Sequence, residues 1–190
     1  MEIKTILITG ASSGVGYQTA LQLSQQGHQV IALARNTDLL EKLKAASTGK
    51  IIVCSHDLAT LNFDAVLNTL KNFNIVHIDV LINNAGQLVN NNFEKITSSE
   101  LIGAYNTNVF APYLLIQALL PALKKSTHPH IINISSVGGI QGSVKFAGLS
   151  AYSSSKGALT ILTECLAEEF KDQNIKVNCL ALGAVNTEML

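Results

Sequence analysis

The sequence predicts an α/β fold in which a mostly parallel sheet is covered by helices on both faces. Short β-branched runs alternate with longer helical patterns along the chain, which is typical of consecutive βαβ units. Residues 6–8 (ILI) and 80–82 (VLI) are apolar without alternation, as expected for central strands that are buried on both faces. Because no Gly/Ser-rich linker divides the 190 residues, a single domain over 1–190 is predicted.

Six strands and five helices are predicted in alternation. The strands lie where β-branched and other apolar residues cluster between turn residues, at 5–9, 29–34, 50–55, 79–83, 130–135 and 176–182. The helices follow apolar side chains that recur every three or four residues, near 14–26, 37–46, 61–73, 98–125 and 151–172. Two polar stretches, 87–94 and 138–150, follow strand ends, where open α/β sheets usually bind ligands. We therefore expect functional loops there.

The composition excludes several classes of protein. Hydrophobic residues make up 47% of the chain and charged residues 14%, so a substantial core can be buried and extended disorder is excluded. Thirteen basic side chains balance thirteen acidic ones, which leaves no overall positive field for nucleic acid or an anionic membrane. The longest apolar stretch, 109–123, falls short of the ~20 residues that a membrane helix needs. We expect small-molecule partners rather than nucleic acid or membrane.

Cysteine usage and the first residues of the chain predict a cytoplasmic protein. Cys54, Cys165 and Cys179 are far apart and form no CxxC pair, which favours buried thiols in a reducing compartment over disulfides or a zinc site. No metal site is therefore predicted. The apolar run at residues 6–8 is too short for the core of a signal peptide.

A glycine-rich turn follows the first predicted strand. Segment 9–16 (TGASSGVG) places Gly10, Gly14 and Gly16 between this strand and an amphipathic helix. Glycine tolerates positive φ and lets a pyrophosphate approach the backbone, and the N-terminus of a helix attracts anions. The alternative is a turn whose glycines only allow close packing of helix and strand. The βαβ context favours nucleotide binding.

Four motifs along the chain resemble the short-chain dehydrogenase/reductase family. The glycines have the spacing Gly-x-x-x-Gly-x-Gly, and residues 83–86 (NNAG), Ser135-Ser136 and 152–156 (YSSSK) follow in the order typical of the family. The Tyr-x-x-x-Lys motif is the most specific, and the resemblance covers essentially the whole chain. It implies a Rossmann-type, doubly wound fold and an NAD(P)-dependent oxidoreductase that acts on alcohol or carbonyl compounds.

The resemblance also implies a catalytic set of Asn108, Ser136, Tyr152 and Lys156. Tyr152 would exchange a proton with the substrate oxygen while hydride passes between nicotinamide and the substrate carbon. Lys156, one helical turn away, would lower the pKa of Tyr152 and bind the nicotinamide ribose. Ser136 would hydrogen-bond the substrate oxygen, and Asn108 would hold a water in the proton relay.

Two positions of this set have competing neighbours. Asn106 competes with Asn108, and Ser135 competes with Ser136. The family usually places its serine some three residues closer to the tyrosine, so segment 138–150 is expected to carry a small insertion. The added residues, which would border the substrate entrance, include Gln141, Ser143, Lys145 and Phe146.

The resemblance places a cofactor along the carboxyl ends of the strands. The implied contacts are Gly10, Ser12, Ser13, Gly14, Val15, Gly16, Arg35, Asp57, Leu58, Asn84, Ala85, Gly86, Tyr152, Lys156, Val185 and Thr187. An NAD-selective site normally has an acidic residue at the end of the second strand, where this chain has Ala34-Arg35-Asn36. A carboxylate would repel a 2′-phosphate, whereas Arg35 can neutralise it, so NADP(H) is predicted over NAD(H).

Further expectations concern assembly, length and an alternative function. Helices 108–123 and 151–170 are those that many relatives pack across a two-fold axis, so a homodimer or homotetramer is predicted. The family normally continues with a substrate-binding loop, a helix and a strand, so the chain is expected to be short at its C-terminus. The alternative function is a nucleotide-binding regulatory or scaffold protein that keeps the fold and has little turnover.

Overall fold

The computed structural model describes residues 2–185 of the chain. Within them, six strands form one sheet in the order β3-β2-β1-β4-β5-β6, and every neighbouring pair is parallel. The strands are β1 (Thr5–Thr9), β2 (Gln29–Ala34), β3 (Lys50–Ser55), β4 (Val80–Asn83), β5 (His130–Ser136) and β6 (Lys176–Leu182). The predicted parallel α/β sheet is confirmed, and its strand order is that of a doubly wound, Rossmann-type fold.

Helices cross from one strand to the next on both faces of the sheet. Their bounds in the described part of the chain are α1 (Gly14–Gln25), α2 (Thr37–Ala46), α3 (Asp64–Asn72), α4 (Ser98–Tyr105), α5 (Ala111–Leu123) and α6 (Ser150–Glu169). Each pair of consecutive parallel strands needs such a crossover, because the chain must return from the carboxyl end of one strand to the amino end of the next.

Three of the predicted helices need correction. The fifth, predicted over 151–172, ends at Glu169 and is followed by a separate 3₁₀ turn, Lys171–Gln173. The third begins at Asp64 rather than at 61, because Leu61 has a φ of 56° and closes a short 3₁₀ helix. The predicted helix 98–125 is divided into α4 and α5 by a five-residue π-helical turn, Asn106–Phe110. Such turns within helices are frequent at functional sites.

The sheet separates two layers of hydrophobic core. Ile6 and Ile8 of β1 pack with Leu40 and Leu43 of α2 on one face, whereas Leu7 packs on the other face with α3, α5 and α6. Successive side chains of a strand point to opposite faces, so β1 is buried on both. This double burial explains why its apolar residues do not alternate with polar ones.

The three cysteines are free thiols. Cys54 is buried and Cys179 is half-buried, but Cys165 is exposed on α6, so the expectation of buried thiols is wrong for that residue. Within residues 2–185, no group of three or more His, Cys, Asp or Glu side chains is placed to hold a metal ion. No helix in the same part of the chain is long and apolar enough to cross a membrane.

Candidate active site

A cavity of about 1010 Å³ runs along the carboxyl ends of the strands. It crosses the topological switch point between β1 and β4, where the chain changes from adding strands on one side of β1 to adding them on the other. Doubly wound sheets bind their ligands at this point. Of the predicted site residues that the structure describes, only Gly16 and Asn108 do not line it, and Thr187 lies outside the described residues. Those that line it are Gly10, Ser12, Ser13, Gly14, Val15, Arg35, Asp57, Leu58, Asn84, Ala85, Gly86, Ser136, Tyr152, Lys156 and Val185.

The glycine turn after β1 depends on two residues with positive φ, Gly10 at 68° and Gly14 at 54°. Few other residues adopt this conformation without strain. Gly16 has a different role, since a Cβ there would lie 2.3 Å from the Gly10 carbonyl oxygen and 2.4 Å from Asn84 Nδ2. It lets α1 pack against the strand ends and does not reach the cavity wall. This placement does not support its predicted contact with a cofactor.

The N-terminus of α1 presents backbone donors to the cavity. Ser13 is the N-cap residue, and its side chain makes no capping hydrogen bond. The first turn of α1 contains no acidic side chain. Because the first amides of a helix have no partner within the helix, those of α1 are available to an anion.

Thr9 joins the glycine turn to the end of β4. Its Oγ1 accepts hydrogen bonds from Asn84 N at 3.0 Å and from Ala85 N at 2.9 Å. In return, Asn84 Nδ2 donates to the Thr9 carbonyl at 3.0 Å. Sequence reasoning missed Thr9, although a threonine directly before the first glycine is a signal that could have found it. These bonds hold the two central strand ends in register.

Tyr152, Lys156 and Ser136 meet on one wall of the cavity. Tyr152 and Lys156 are one turn apart on α6, and Lys156 Nζ lies 5.9 Å from the centroid of the Tyr152 ring. Lys156 is buried, and its Nζ donates to the Ile134 carbonyl at 2.7 Å. Ser136 reaches the same wall from the end of β5.

Burial changes the pKa of both ionisable groups on this wall. It lowers the pKa of Lys156 to about 8. It raises the pKa of Tyr152 above its ordinary value, and the hydrogen bond with Ser136 acts in the opposite direction. The net direction for Tyr152 is opposite to the lowering predicted from the sequence, because burial removes the water that would stabilise a phenolate. Tyr152 is therefore a neutral phenol at neutral pH.

The two adjacent serines have different surroundings. Ser135 is buried, and its Oγ donates to the Lys156 carbonyl at 2.9 Å, so this hydroxyl is turned towards α6. Ser136 Oγ accepts from Gly138 N at 3.2 Å and is the hydroxyl that interacts with Tyr152. The geometry thus favours Ser136 as the serine that a ligand beside Tyr152 would meet.

Asn108 lies in the π-helical turn and is fully buried. Its Oδ1 accepts from Gln87 N at 2.8 Å. Its Nδ2 donates to the Gln87 carbonyl at 3.0 Å and to Ser155 Oγ at 2.8 Å. Both donors of the amide are therefore used within the protein. Asn108 ties the loop after β4 to α6.

Gly86, which lines the cavity, lies next to Asn108. A Cβ on Gly86 would lie 3.5 Å from Asn108 Oδ1 and 3.3 Å from Lys156 Nζ. Asn106, the competing residue, is only half-buried. Asn108 and Lys156 therefore both lie close to Gly86 on this side of the cavity.

The far end of the cavity is formed by the ends of β2 and β3. Arg35 is exposed there, and its guanidinium forms no salt bridge with a carboxylate of residues 2–185. Asn36, which follows it, caps α2 by accepting from Leu39 N at 3.0 Å. Asp57 Oδ1 accepts from Ala59 N at 3.0 Å. Arg35 is thus free to pair with an anionic ligand.

Gln87, Leu88, Asn90 and Leu149 line the cavity from the two stretches, 87–94 and 138–150, in which functional loops were expected. His56 and Val137 also line it and were not predicted. Both directly adjoin a predicted residue, as His56 precedes Asp57 and Val137 follows Ser136. Adjacency to a motif is therefore the signal that could have found them.

Comparison with known proteins identifies relatives of the whole described chain. Residues 4–190 match the family model of short chain dehydrogenase. A fatty acyl-CoA reductase of Acinetobacter baylyi is 34% identical over 98% of this chain and 64% of its own length. A 3-ketodihydrosphingosine reductase of Bacteroides thetaiotaomicron is 36% identical over 98% of this chain and 66% of its own length. The chain therefore spans just under two thirds of these two relatives.

Solved structures superpose on almost the whole chain. A short-chain dehydrogenase from Streptomyces avermitilis has a TM-score of 0.89 and 38% identity, covering 100% of this chain and 68% of its own. A 3-ketoacyl-(acyl-carrier-protein) reductase from Brucella melitensis, complexed with NADH, has a TM-score of 0.88 and 28% identity, covering 98% and 78%. An L-sorbose reductase from Gluconobacter frateurii, complexed with NADPH and L-sorbose, has a TM-score of 0.90 and 27% identity, covering 99% and 72%.

The match to the family model, the strand order and the positions of the motifs all indicate the same family. The family model covers nearly every residue, and the superposed structures share the sheet on which the cavity is built. The chain belongs to the short-chain dehydrogenase family.

Proposed function

We propose that this protein is an NAD(P)-dependent oxidoreductase that interconverts an alcohol and a carbonyl compound. The observation that carries the proposal is the position of Ser136, Tyr152 and Lys156 on the wall of the cavity that also holds the open N-terminus of α1. A proton donor and an anion site thereby share one cleft. Membership of a family whose relatives include reductases supports the same activity.

The residues present fit a dinucleotide cofactor. The positive φ of Gly10 and Gly14 brings bare backbone to the cavity, and the first amides of α1 suit a pyrophosphate. Asp57 and Leu58 would border the adenine, and Lys156 would face the nicotinamide ribose. Two structural neighbours were solved with NADH and with NADPH, which supports this class of cofactor. When bound, a nicotinamide dinucleotide supplies or takes up the hydride.

Tyr152 is the group proposed to exchange a proton with the substrate oxygen. Its raised pKa keeps the phenol protonated at neutral pH, so it can donate to a carbonyl oxygen. Ser136 would donate a hydrogen bond to the same oxygen and stabilise the negative charge that develops there. Lys156 is mostly protonated at neutral pH, because its pKa is about 8, and its charge favours the phenolate that remains after proton transfer.

Asn108 is proposed as a positioning residue. Both of its amide donors are used by Gln87 and Ser155, so a water in a proton relay would not be held by these donors. Its hydrogen bonds instead fix the loop that carries Gly86 against α6. This would keep Lys156 Nζ at the cavity wall.

We propose that NADP(H) is preferred over NAD(H). Arg35 is exposed and unpaired within the described residues at the end of β2, and the neighbouring Asn36 carries no charge. The hydroxyls of Ser12 and Ser13 line the adjacent turn. A guanidinium with hydroxyl donors nearby suits a 2′-phosphate, and residues 34–36 at the end of β2 include no carboxylate that would repel one.

Turnover by the full-length protein tests the function. The change in absorbance of the reduced nicotinamide is followed with a panel of aldehydes, ketones and alcohols. Loss of the proton donor in Tyr152→Phe is expected to lower kcat by a factor of about 10² or more, whereas a Tyr113→Phe variant, in which the changed residue is exposed on α5, keeps full activity. Full activity of Tyr152→Phe contradicts the mechanism, and cofactor binding without any turnover supports the scaffold alternative.

We also propose a homodimer, or a tetramer built from it, formed through the outer faces of α4 to α6. Large apolar side chains are exposed on these elements, with Ile102 at 56%, Phe110 at 46% and Ile161 at 58%. Such residues often mark contacts between subunits. Sedimentation of the wild-type protein is expected to show a dimer or tetramer that Ile161→Glu dissociates, and a wild-type monomer at micromolar concentration contradicts the proposal.

A further inference from the structure

The entrance loop, residues 140–149, connects the end of β5 to α6 and forms one rim of the cavity. Phe146 and Leu149 of this loop line the cavity together with Val137, and Leu88 lines it from the loop after β4. All four side chains are apolar. The entrance on the α6 side of the cavity therefore carries a hydrocarbon surface.

These apolar side chains flank both groups proposed to contact the substrate oxygen. Val137 directly follows Ser136 in the chain. Leu149 is the N-cap residue of α6 and precedes Tyr152 by three residues, and both line the cavity. A substituent on the reacting carbon would therefore find these apolar side chains within reach, together with the hydroxyl of Ser153, which also lines the cavity.

Hydrogen bonds within the loop and to the opposite rim hold the entrance loop in place. Lys145 Nζ donates to the Ile140 carbonyl at 2.6 Å and to Ser143 Oγ at 2.7 Å, so the ammonium group closes the loop on itself. The Gly148 carbonyl accepts from Asn91 N at 3.0 Å, which joins the two rims. A surface ordered in advance loses little conformational entropy when a ligand binds.

Two large apolar side chains of the loop remain in water. Val144 is 72% exposed and Phe146 is 62% exposed. Single exposed apolar residues are ordinary on protein surfaces. Phe146, however, also lines the cavity with Leu88 and Leu149, and Val144 precedes it by two residues in the same loop. A chain that leaves the reacting carbon would pass along Phe146.

Charged groups do not face this part of the wall. Among the described residues that line the cavity, the only Lys, Arg, Asp or Glu side chains are Arg35, Asp57 and Lys156. Arg35 and Asp57 stand at the ends of β2 and β3, two or more strands away from β5, and Lys156 Nζ is bound to the Ile134 carbonyl. The ammonium of Lys145 is used by its own loop. Apart from Lys156, which lies on the wall with Tyr152, no described side chain that lines the cavity near β5 offers a carboxylate or phosphate an unused cationic donor.

We propose that the entrance loop binds the hydrocarbon chain of the substrate, and that the substrate is an uncharged alcohol or carbonyl compound with an extended apolar chain on its reacting carbon. This inference rests on the proposed oxidoreductase function. Each methylene group transferred from water to an apolar surface strengthens binding about fourfold, equivalent to about 0.8 kcal/mol. Affinity is therefore expected to rise with chain length as long as the added carbons contact Phe146 and its apolar neighbours on the cavity wall.

A homologous series of primary alcohols, from butanol to decanol, tests this proposal. Dissociation constants are measured by calorimetric titration into the full-length protein saturated with NADPH, which cannot oxidise the alcohols, and turnover is measured separately with NADP⁺. Phe146→Ser removes the aromatic ring from the loop. Phe73→Ser is the matched control, because Phe73 is 55% exposed at the end of α3 and does not line the cavity.

We expect the dissociation constant of the wild-type protein to fall about fourfold for each added carbon. Phe146→Ser is expected to weaken decanol binding about tenfold and to leave butanol binding unchanged, since only the longer chain reaches the ring. Phe73→Ser is expected to change neither. The split between decanol and butanol separates a chain-binding role from general damage to the site.

Each outcome decides between the proposals. Binding that does not depend on chain length overturns the inference, as does an equal loss for butanol and decanol in Phe146→Ser. Turnover of short alcohols with a flat profile contradicts the inference and leaves the proposed function intact. Binding that strengthens with chain length, without turnover of any alcohol or aldehyde, supports the apolar subsite and contradicts the proposed oxidoreductase function.

Discussion

Replacement of Arg35 by alanine is expected to weaken the binding of NADP⁺ and to leave the binding of NAD⁺ unchanged. Arg35 is exposed at the end of β2 and forms no salt bridge with a carboxylate of the described residues. It is the only Lys or Arg among the described residues that line this end of the cavity. Its guanidinium is therefore the group that a 2′-phosphate would meet.

The magnitude follows from the exposure of Arg35. A hydrogen bond to a charged group contributes about 1.5–3 kcal/mol. Solvent screening reduces the contribution of such a bond at an exposed site. Two unit charges about 4 Å apart in water interact by about 1 kcal/mol, and a phosphate carries a charge of about −1.5 to −2. We therefore expect a loss of about 1.5–2 kcal/mol, which corresponds to a 10- to 30-fold increase in Kd for NADP⁺.

Calorimetric titration of NADP⁺ and NAD⁺ into wild type, Arg35→Ala and Lys42→Ala measures the effect. Lys42 is an exposed cation on α2 that does not line the cavity, so its replacement removes the same charge without touching the site. The wild-type advantage for NADP⁺ is expected to shrink as salt rises, because an exposed ion pair is screened. An equal loss for both cofactors, or a similar loss in Lys42→Ala, would refute the phosphate contact.

Three further substitutions test the packing and electrostatics of the site. Gly16→Ala is expected to lower the free energy of unfolding, measured in urea, by about 1–3 kcal/mol, because the new Cβ would lie 2.3 Å from the Gly10 carbonyl oxygen. Gly183→Ala is the control, since a Cβ at Gly183 would have no atom within 4 Å. Equal stabilities of the two variants would contradict the packing role of Gly16. Asn108→Ala is expected to cost about 1–3 kcal/mol in the same assay, because it removes two hydrogen bonds to the Gln87 backbone and the buried one to Ser155 Oγ, and an unchanged midpoint would contradict this. The pKa of Lys156 falls from 10.5 to about 8 on folding, so between these pH values the unfolded chain binds more protons than the folded protein. The free energy of unfolding of the wild-type protein is therefore expected to increase with rising pH over this range, relative to that of Lys156→Met. Parallel profiles of thermal unfolding against pH for the two proteins would show that burial does not lower this pKa.

The strands could be predicted from the sequence because central parallel strands are unbroken apolar runs. β1, β2, β3 and β6 have the predicted bounds, and β4 and β5 differ by one residue at one end. Helix boundaries were less predictable. The positive φ of Leu61, for example, cannot be read from the spacing of apolar residues. The π-helical turn Asn106–Phe110 likewise contains no glycine or proline that would mark an interruption of the helix. Its wider hydrogen-bonding pattern depends on what α4 and α5 pack against.

Motif order was enough to predict which segments would meet, because the carboxyl ends of parallel strands share one edge of the sheet. It did not distinguish residues that line the cavity from residues that support it. Gly14 lines the cavity and Gly16, two positions later, packs against the turn. Asn108 is buried behind Gly86 rather than facing a ligand. The difference in each case is one of orientation, which spacing alone does not encode.

By itself, the sequence determined the α/β class, the positions of the strands and the resemblance to one family, because these depend on local apolar pattern and on short motifs. Only the tertiary structure decided that Ser136 rather than Ser135 approaches Tyr152, and that burial raises the pKa of this tyrosine. Both depend on how α6 packs against β5, which is a contact between segments distant in the chain. Burial and orientation arise from that packing, so no local stretch of sequence carries them.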